Sequence, residues 1–190
     1  MEQIEQIQRE HPDQRVEVWV EDEARFGQQG TLTRKWAPRG SRPPAVKQTA
    51  YQYLYLMGAA CAQTGQAVGL LVPYMNTKVV NVFLKQMAAE IDPQTHVVLV
   101  WDRAGYHTAA ALEVPKNMTL LPLPPSSPEL NPMENLWHYL RAHHLANRSY
   151  KNYQALLEAA GVAWRTSCLD QDIIKTVCHT PYLESRGVKS

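Results

Sequence analysis

The sequence predicts an α/β fold in which helices flank a mixed sheet. Three patterns support this prediction: an alternating segment at 15–22, a near-continuous apolar run at 95–102 and a segment of helical period between them. A run that is apolar at almost every position is typical of a strand covered on both faces in the middle of a sheet. A strand, a crossover helix and a second buried strand favour two parallel neighbours joined by a right-handed connection.

Length and composition limit the class of protein. The chain has 190 residues, 45% of them hydrophobic, which is enough for one domain with a sizeable core. Lys and Arg total 19 against 18 Asp and Glu, so the overall charge neither indicates nor excludes a polyanionic partner. The 3 cysteines form no CxxC pair, which favours a reducing compartment. Because the N-terminus is polar and no apolar stretch reaches about 18 residues, we expect a soluble cytoplasmic protein.

The first half of the chain predicts strands. The segment 15–22 alternates with β-branched residues and ends at Asp22. Two further apolar segments, 51–61 and 67–73, flank a short polar turn with Gly65 at its centre. This pattern predicts an antiparallel hairpin.

Helical and strand patterns alternate over the rest of the chain. Apolar residues at helical spacing predict a helix at about 77–91, with Asn76 or Thr77 as its cap. The buried strand follows and ends at Asp102. The other predicted elements are a short helix at 108–112, a strand at 118–124, a helix from Pro132 to about Ala146, and one or two helices within 152–164 and 170–178.

Asp22 and Asp102 end the two strands that we expect to be parallel neighbours. They are therefore predicted to lie side by side at the edge where open α/β sheets form their ligand crevices. Two carboxylates about 4 Å apart repel by about 4 kcal/mol at an effective dielectric constant of about 20, so the pair must share a proton or hold a cation. A divalent cation is the simpler solution at neutral pH. Turn formation by aspartate is the alternative for either residue alone.

Two glutamates flank Asp22 and are rival ligands. Asp22 keeps the side-chain parity of Val20, whereas Glu21 shares the face of Trp19. Glu23 is interpreted as lying past the end of the strand. Asp22 is therefore the favoured member of this acidic run.

A third carboxylate stands at the start of a predicted helix. The stretch LPPSSPELNPMENLWHYLR turns from proline-rich to amphipathic, and Asn131, Pro132 and Glu134 fit a capping box. A Glu134 side chain directed toward the two aspartates would also supply a third ligand, because a carboxylate has two oxygens. Trp137 lies on the apolar stripe of this helix and is predicted to be a core residue.

The chemistry of these donors favours a hard cation. Three carboxylates without a Cys or His cluster at zinc spacing favour Mg²⁺ or Mn²⁺ over Zn²⁺. Two such ions about 3.5–4 Å apart are the usual arrangement for in-line displacement at phosphorus. The residues therefore predict phosphodiester chemistry with two divalent ions.

Three segments together resemble the catalytic blocks of mariner-type DNA transposases and their bacterial insertion-sequence relatives. They are VWVEDEARFG, VVLVWDRAGYHTA and PPSSPELNPMENLWHYLR, and the resemblance covers roughly residues 16–148. It implies a ribonuclease-H-like fold in which Asp22, Asp102 and Glu134 form an acidic triad that binds two Mg²⁺ or Mn²⁺ ions. The implied activity is cleavage at the ends of a mobile element, followed by attack of the freed 3′-hydroxyl on target DNA.

The resemblance also implies supporting residues and a setting. His107 matches a histidine shared by many relatives, and His107 and Asn131 are candidates for residues that support the metal ligands. Packing of a helix-start residue on the sheet is the alternative for His107. Relatives generally act as homodimers on DNA, here implied to be at the bacterial nucleoid.

The predicted domain organisation is a single ribonuclease-H-like catalytic domain over 1–190, with a core at about 16–148 and C-terminal helices at about 149–180. Relatives normally carry an N-terminal helix-turn-helix region that recognises the ends of the element, whereas a short segment precedes the first predicted strand here. We therefore expect the DNA-recognition domain to be absent, because the chain is a truncated form or one product of a split reading frame.

A basic segment follows the first strand and predicts contacts to DNA phosphates. Its cations, which have no acidic residue among them, are Arg34, Lys35, Arg39, Arg42 and Lys47. We expect 27–47 to form a loop or a twisted hairpin at the edge of the sheet that carries Asp22. An ordinary solvated basic loop is the alternative.

Two other functions stay open. A ribonuclease-H-like nuclease would cleave DNA without strand transfer. A DNA-binding or assembly module would retain the triad but be inactive without its partner region. Joining of a 3′-hydroxyl end to a target distinguishes a transposase from the first, and metal-dependent nicking by the isolated chain would exclude the second.

Overall fold

A computed structural model describes residues 2–28, 38–41, 52–102, 104–105, 110–125 and 127–181. Within these residues, five strands form one mixed sheet in the order β3-β2-β1-β4-β5. The strands are β1 Arg15–Gly27, β2 Tyr53–Cys61, β3 Gln66–Val72, β4 Thr95–Trp101 and β5 Met118–Pro122. The α-helices are α1 Glu2–Glu10, α2 Thr77–Glu90, α3 Met133–Leu140, α4 Tyr153–Cys168 and α5 Gln171–Val177. A 3₁₀ turn at Pro128–Leu130 precedes α3, and a π-helical turn at Arg141–Leu145 continues it.

The pairing of the strands confirms the predicted topology. β1 runs parallel to β4 and antiparallel to β2, and β2 and β3 form the predicted hairpin. Gly65 turns this hairpin with a φ of 78°, a left-handed conformation that glycine adopts without strain. Every residue of β4 is buried, as its apolar run predicted.

β1 is longer than the sequence predicted. It does not end at Asp22 but continues to Gly27, because its antiparallel pairing with β2 extends to Gly27 opposite Tyr53. Glu23 therefore lies within the strand, opposite Met57, and the interpretation that placed it past the strand is wrong. Asp22 stands where the parallel neighbour β4 is ending and the antiparallel neighbour β2 continues.

Helices cover both faces of the sheet. On one face α2 packs Phe83 and Leu84 against Trp19 and Leu99, and the predicted cap Asn76 accepts a hydrogen bond from the backbone N–H of Val79 at 3.0 Å. The other face is covered by α1, α3, α4 and α5. The sheet therefore lies between two hydrophobic cores, one on each face.

The helices of the structure differ in some details from those predicted. The sequence did not predict α1, which buries Ile4 and Ile7. The helix predicted from Pro132 to about Ala146 is present as α3 and the π-helical turn. The short helix predicted at 108–112 lies partly outside the described residues, and its described part is a turn. In the described part of the chain, no helix has the length and apolar character needed to cross a bilayer.

Candidate active site

The register of the sheet brings the two aspartates to the same level. Val20 of β1 pairs with Val100 of β4 in parallel. Asp22 and Asp102 each follow two residues later, so both emerge at the same edge, as predicted. The Asp102 carboxylate also accepts a hydrogen bond from the backbone N–H of Ala104 at 2.8 Å. Asp102 therefore also has the turn-forming role that is common for aspartate.

Asn131 ties the start of α3 to β1. Its side-chain amide donates to the backbone carbonyl of Glu21 at 2.9 Å and accepts from the backbone N–H of Met133 at 3.1 Å. The second bond goes to Met133 rather than to Glu134, the position that a capping box uses, and the N-cap of α3 is Pro132 instead of the predicted Asn131. Among the residues that the structure describes, Glu134 returns no hydrogen bond to Asn131, so the reciprocal half of the predicted capping box is not formed. Glu134 is exposed in the first turn of α3 and available to another partner.

A buried tryptophan contacts the first aspartate directly. The indole N–H of Trp137 donates to Oδ2 of Asp22 at 2.9 Å. Trp137 is 1% exposed, so its predicted place in the core is confirmed. Its hydrogen bond to Asp22 has no local signal in the sequence, because it joins residues that are far apart along the chain.

The three carboxylates of the predicted triad are electrostatically coupled. Burial raises the pKa of Asp22 to about 6, and the negative charges of Glu134 and Asp102 act in the same direction. The hydrogen bond from Trp137 acts in the opposite direction and favours the ionised carboxylate. Asp22 is therefore mainly ionised at neutral pH, but at a cost that a nearby cation would remove.

The two glutamates that flank Asp22 have more strongly raised pKa values than Asp22 itself. Burial raises the pKa of Glu23 to about 8, with the charges of Asp22 and Asp102 adding to the effect. Burial also raises the pKa of Glu21 well above its usual range, followed by the charge of Glu23. Glu23 is therefore mainly protonated at neutral pH, and burial disfavours the ionised form of Glu21 as well, so Asp22 is the favoured anion of this acidic run.

The residues fit a hard divalent cation without forming a closed cage. Within the described parts of the chain, no three His, Cys, Asp or Glu side chains converge closely enough to hold a metal ion. The donors at this edge are carboxylate oxygens, which suit Mg²⁺ or Mn²⁺. A divalent ion there would also favour the ionised form of Asp22 against the burial and the neighbouring negative charges that raise its pKa.

Two arginines lie over aromatic rings near the end of β1. The guanidinium carbon of Arg25 is 4.7 Å from the ring centroid of Tyr53, and that of Arg141 is 5.4 Å from the ring centroid of Phe26. In the described regions neither guanidinium pairs with a carboxylate. Arg25 was missed as a candidate site residue, although it lies three residues after Asp22 in the sequence.

Most of the predicted DNA-contacting residues lie outside the described residues. Arg39 is described and is exposed in a turn closed by a hydrogen bond from the backbone N–H of Ser41 to the carbonyl of Pro38. The DNA-contacting residues outside are Arg34, Lys35, Arg42 and Lys47, and His107, predicted to support the metal ligands, also lies outside. Their predicted roles stay predictions.

Comparison with known proteins gives a family match that spans the site. Residues 17–157 match the family described as DDE superfamily endonuclease, and this range contains all three predicted triad residues. A protein of Sinorhizobium fredii (strain NBRC 101917 / NGR234), named uncharacterized protein y4pE/y4sA, is 40% identical over 112 residues. The matched segment is 59% of this chain and 83% of that relative.

Solved structures of the Mos1 transposase have a similar fold. The Mos1 mariner paired end complex with Mn matches with a TM-score of 0.67 and 16% identity over 86% of this chain and 52% of that chain. The Mos1 strand transfer complex matches with a TM-score of 0.60 and 15% identity over 93% and 54% of the two chains. The chain thus spans about half the length of these solved chains. At such identities the likeness is one of fold, and it confirms the predicted ribonuclease-H-like architecture.

Proposed function

This chain belongs to the DDE superfamily endonuclease family, and we propose that it is the catalytic domain of a cut-and-paste DNA transposase. The proposed triad is Asp22, Asp102 and Glu134. The observation that carries the proposal is geometric: the register of the sheet brings Asp22 and Asp102 to one edge, and the Trp137 N–H joins Asp22 to α3, the helix that carries Glu134. The family match spans all three residues. Burial, followed by the charges of Glu134 and Asp102, also raises the pKa of Asp22. Such coupling of carboxylates is costly for a protein unless the site has a use for it.

The solved relatives support the choice of reaction. They include Mos1 complexes described as paired-end complexes with Mn and with Mg, and as a strand transfer complex. We extend this chemistry to the present chain, with transposon-end and target DNA as substrates and two Mg²⁺ or Mn²⁺ ions as cofactors. The chemistry that such ions supply is activation of the attacking oxygen and stabilisation of the leaving oxygen.

The proposed reaction has two displacements at phosphorus. In the first, a water oxygen bonds to the phosphorus at the end of the element, and the bond to the 3′-oxygen breaks to leave a free 3′-hydroxyl. In the second, that hydroxyl attacks a phosphodiester of target DNA, and the 3′-oxygen of the target leaves with a proton. No oxidant or nucleotide cofactor is required.

The residues of the chain have distinct roles in this proposal. Asp22 is held from one side by the Trp137 N–H, and Asp102 is held by the backbone N–H of Ala104. Glu134 is exposed at the first turn of α3 and completes the anionic site from a different layer. Divalent cations would draw the three carboxylates together and would also bind the DNA phosphate.

DNA contacts are proposed at the same edge of the sheet. Arg25 and Arg141, each stacked on an aromatic ring, offer guanidinium groups to phosphates beyond Asp22. The basic segment at 31–47 is proposed to extend this surface. The single-domain organisation, the homodimer and a separate region that recognises the transposon ends are further parts of the proposal.

Metal-dependent nicking of supercoiled plasmid tests the triad. The variants Asp22→Asn, Asp102→Asn and Glu134→Gln are each expected to abolish nicking in Mn²⁺ without lowering the melting temperature. Glu129→Gln is the matched control, because Glu129 is exposed in the 3₁₀ turn just before α3. Nicking that persists in a triad variant would remove that residue from the proposed site.

Strand transfer distinguishes the transposase from its rivals. A labelled oligonucleotide with a free 3′-hydroxyl transposon end is expected to become joined to plasmid DNA. Nicking without joining would support the nuclease. Binding of Mn²⁺ and DNA without nicking by the unmodified chain would support an assembly module that depends on a partner region.

A further inference from the structure

A row of two glycines crosses the sheet at the level of Asp22. Gly58 of β2 pairs with Asp22 of β1, and Gly69 of β3 pairs with Gly58. A Cβ atom added to Gly58 would lie 2.8 Å from Cη2 of Trp137, and one added to Gly69 would collide with the indole of Trp164. The absence of side chains at these positions leaves a groove in the face of the sheet, which the two indoles fill.

The groove fixes the position of the Trp137 ring. Trp137 and Trp164 are 1% and 9% exposed, and their ring centroids are 6.3 Å apart. Met133 packs against the same part of the sheet, since its methyl carbon would lie 3.1 Å from a Cβ added to Gly58. The indole of Trp137 therefore has little freedom to rotate, and its N–H remains directed at Oδ2 of Asp22.

We propose that Trp137 is a positioning residue for Asp22: its N–H holds one carboxylate oxygen so that the other is presented to a divalent cation. This inference rests on the proposed function, in which Asp22 is a metal ligand. A carboxylate oriented in advance loses less conformational freedom when it binds an ion. Removal of a hydrogen bond that orients a metal ligand typically weakens metal binding by about 10–100-fold.

A purely structural role makes a different prediction. A buried indole N–H needs an acceptor, and any carbonyl oxygen would serve for stability. In that case, loss of the N–H would lower stability but leave the affinity for a cation unchanged. Cation affinity, measured without DNA or turnover, therefore separates the two roles.

Trp137→Phe tests the proposal, because phenylalanine keeps an aromatic ring in the groove but has no N–H. We expect the dissociation constant for Mn²⁺, measured by calorimetry on the full chain, to rise about tenfold or more. Trp164→Phe is the matched control and is expected to change Mn²⁺ affinity far less than Trp137→Phe does, since within the described structure its indole donates to no carboxylate. Equal affinities in Trp137→Phe and the unmodified chain would overturn the proposal.

A double-mutant cycle separates this inference from the proposed function. In the Asp22→Asn background, Trp137→Phe is expected to cause no further loss of Mn²⁺ affinity. If Asp22→Asn alone leaves the affinity unchanged, the assignment of Asp22 as a ligand fails. If Asp22→Asn weakens binding but Trp137→Phe does not, only the positioning role fails.

A measurement on the unmodified chain covers the case in which Trp137→Phe does not fold. The ¹⁵N-labelled indole N–H resonance of Trp137 is expected to shift during a Mg²⁺ titration, with a midpoint that agrees with the Mg²⁺ affinity measured by calorimetry, while that of Trp164 shifts less. A Trp137 resonance that does not respond to saturating Mg²⁺ would overturn the proposal.

Discussion

Val20 of β1 and Val100 of β4 pair in parallel register, and this single alignment determines where the acidic edge of the sheet forms. A shift of the register by one residue would move each side chain of β1 to the opposite face. Asp22 would then turn away from α3 and lose the Trp137 N–H. The apolar alternation that fixes the register is thus also what directs the carboxylate.

Gly69→Ala is expected to destabilise the protein through the second indole of the groove. The added methyl group would overlap the ring of Trp164, which is buried and has little room to move. Overpacking of this kind costs about 1–3 kcal/mol. The free energy of unfolding in urea measures the effect.

Gly105→Ala is the control for that experiment, because a Cβ added at Gly105 meets no atom within 4 Å. We expect Gly105→Ala to leave the unfolding free energy nearly unchanged. A Gly69→Ala variant as stable as Gly105→Ala would show that the sheet face has room for the methyl group.

The features predicted from the sequence are those that local residues determine. The apolar run of β4, the turn at Gly65 and the cap at Asn76 each depend on a few neighbouring side chains. The family resemblance identified three segments that lie far apart along the chain and assigned a carboxylate to each. Their local patterns were enough to predict a shared edge of the sheet.

The remaining features depend on pairings between distant residues. The extension of β1 to Gly27 requires its pairing with β2, which no pattern within 15–27 specifies. The raised pKa values of Glu21 and Glu23 depend on burial that only the folded sheet creates. The bond between Trp137 and Asp22 likewise requires α3 to pack on β1.

Arg25→Gln is expected to weaken DNA binding and reduce its dependence on salt. Arg25 is exposed near the end of β1 and is held over the ring of Tyr53. Loss of one phosphate contact lowers the slope of log K against log salt by about 1, similarly for all sequences. Fluorescence anisotropy at several salt concentrations measures the slope.

Arg9→Gln supplies the comparison for Arg25→Gln. Arg9 lies in the last turn of α1, which precedes the start of β1, and Arg9→Gln removes the same charge as Arg25→Gln. Its salt slope is expected to match that of the unmodified chain. Identical slopes for the two variants would mean that Arg25 does not contact phosphate.

His96 is expected to make the protein less stable at mildly acidic pH. Burial lowers the pKa of His96 below its ordinary value of 6.5, and the charge of His11, whose ring is stacked 3.6 Å away, acts in the same direction. His96 binds a proton less readily in the folded state than in the unfolded chain. The stabilisation that neutral His96 contributes is therefore complete above pH 6.5 and is lost as the pH falls below it. Melting temperatures between pH 7.5 and about pH 5 record the loss.

His96→Gln removes the titrating group while retaining a polar side chain near Thr119, which now bonds to the His96 ring at 2.8 Å. We expect the decrease in melting temperature with pH to become shallower in this variant. The exposed His138 provides the control, and His138→Gln is expected to keep the original pH profile. An unchanged profile in His96→Gln would assign the acid sensitivity to another group.

Asn131→Asp is expected to loosen α3 from β1 although it changes few atoms. The aspartate keeps an oxygen for the N–H of Met133 but cannot donate to the backbone carbonyl of Glu21, so this buried hydrogen bond would be lost. A lost hydrogen bond of this kind costs about 1–3 kcal/mol.

Asn152→Asp is the control for the hydrogen bond that the Asn131 amide donates to the carbonyl of Glu21. Asn152 caps α4 by accepting from the N–H of Ala155 at 2.9 Å, a role that aspartate fills equally well at the positive end of a helix. Urea unfolding is therefore expected to show a loss for Asn131→Asp and none for Asn152→Asp. Equal stability of the two variants would mean that the amide of Asn131 does not anchor α3. Since α3 carries both Glu134 and Trp137, a loosened α3 would separate the two side chains from Asp22 together.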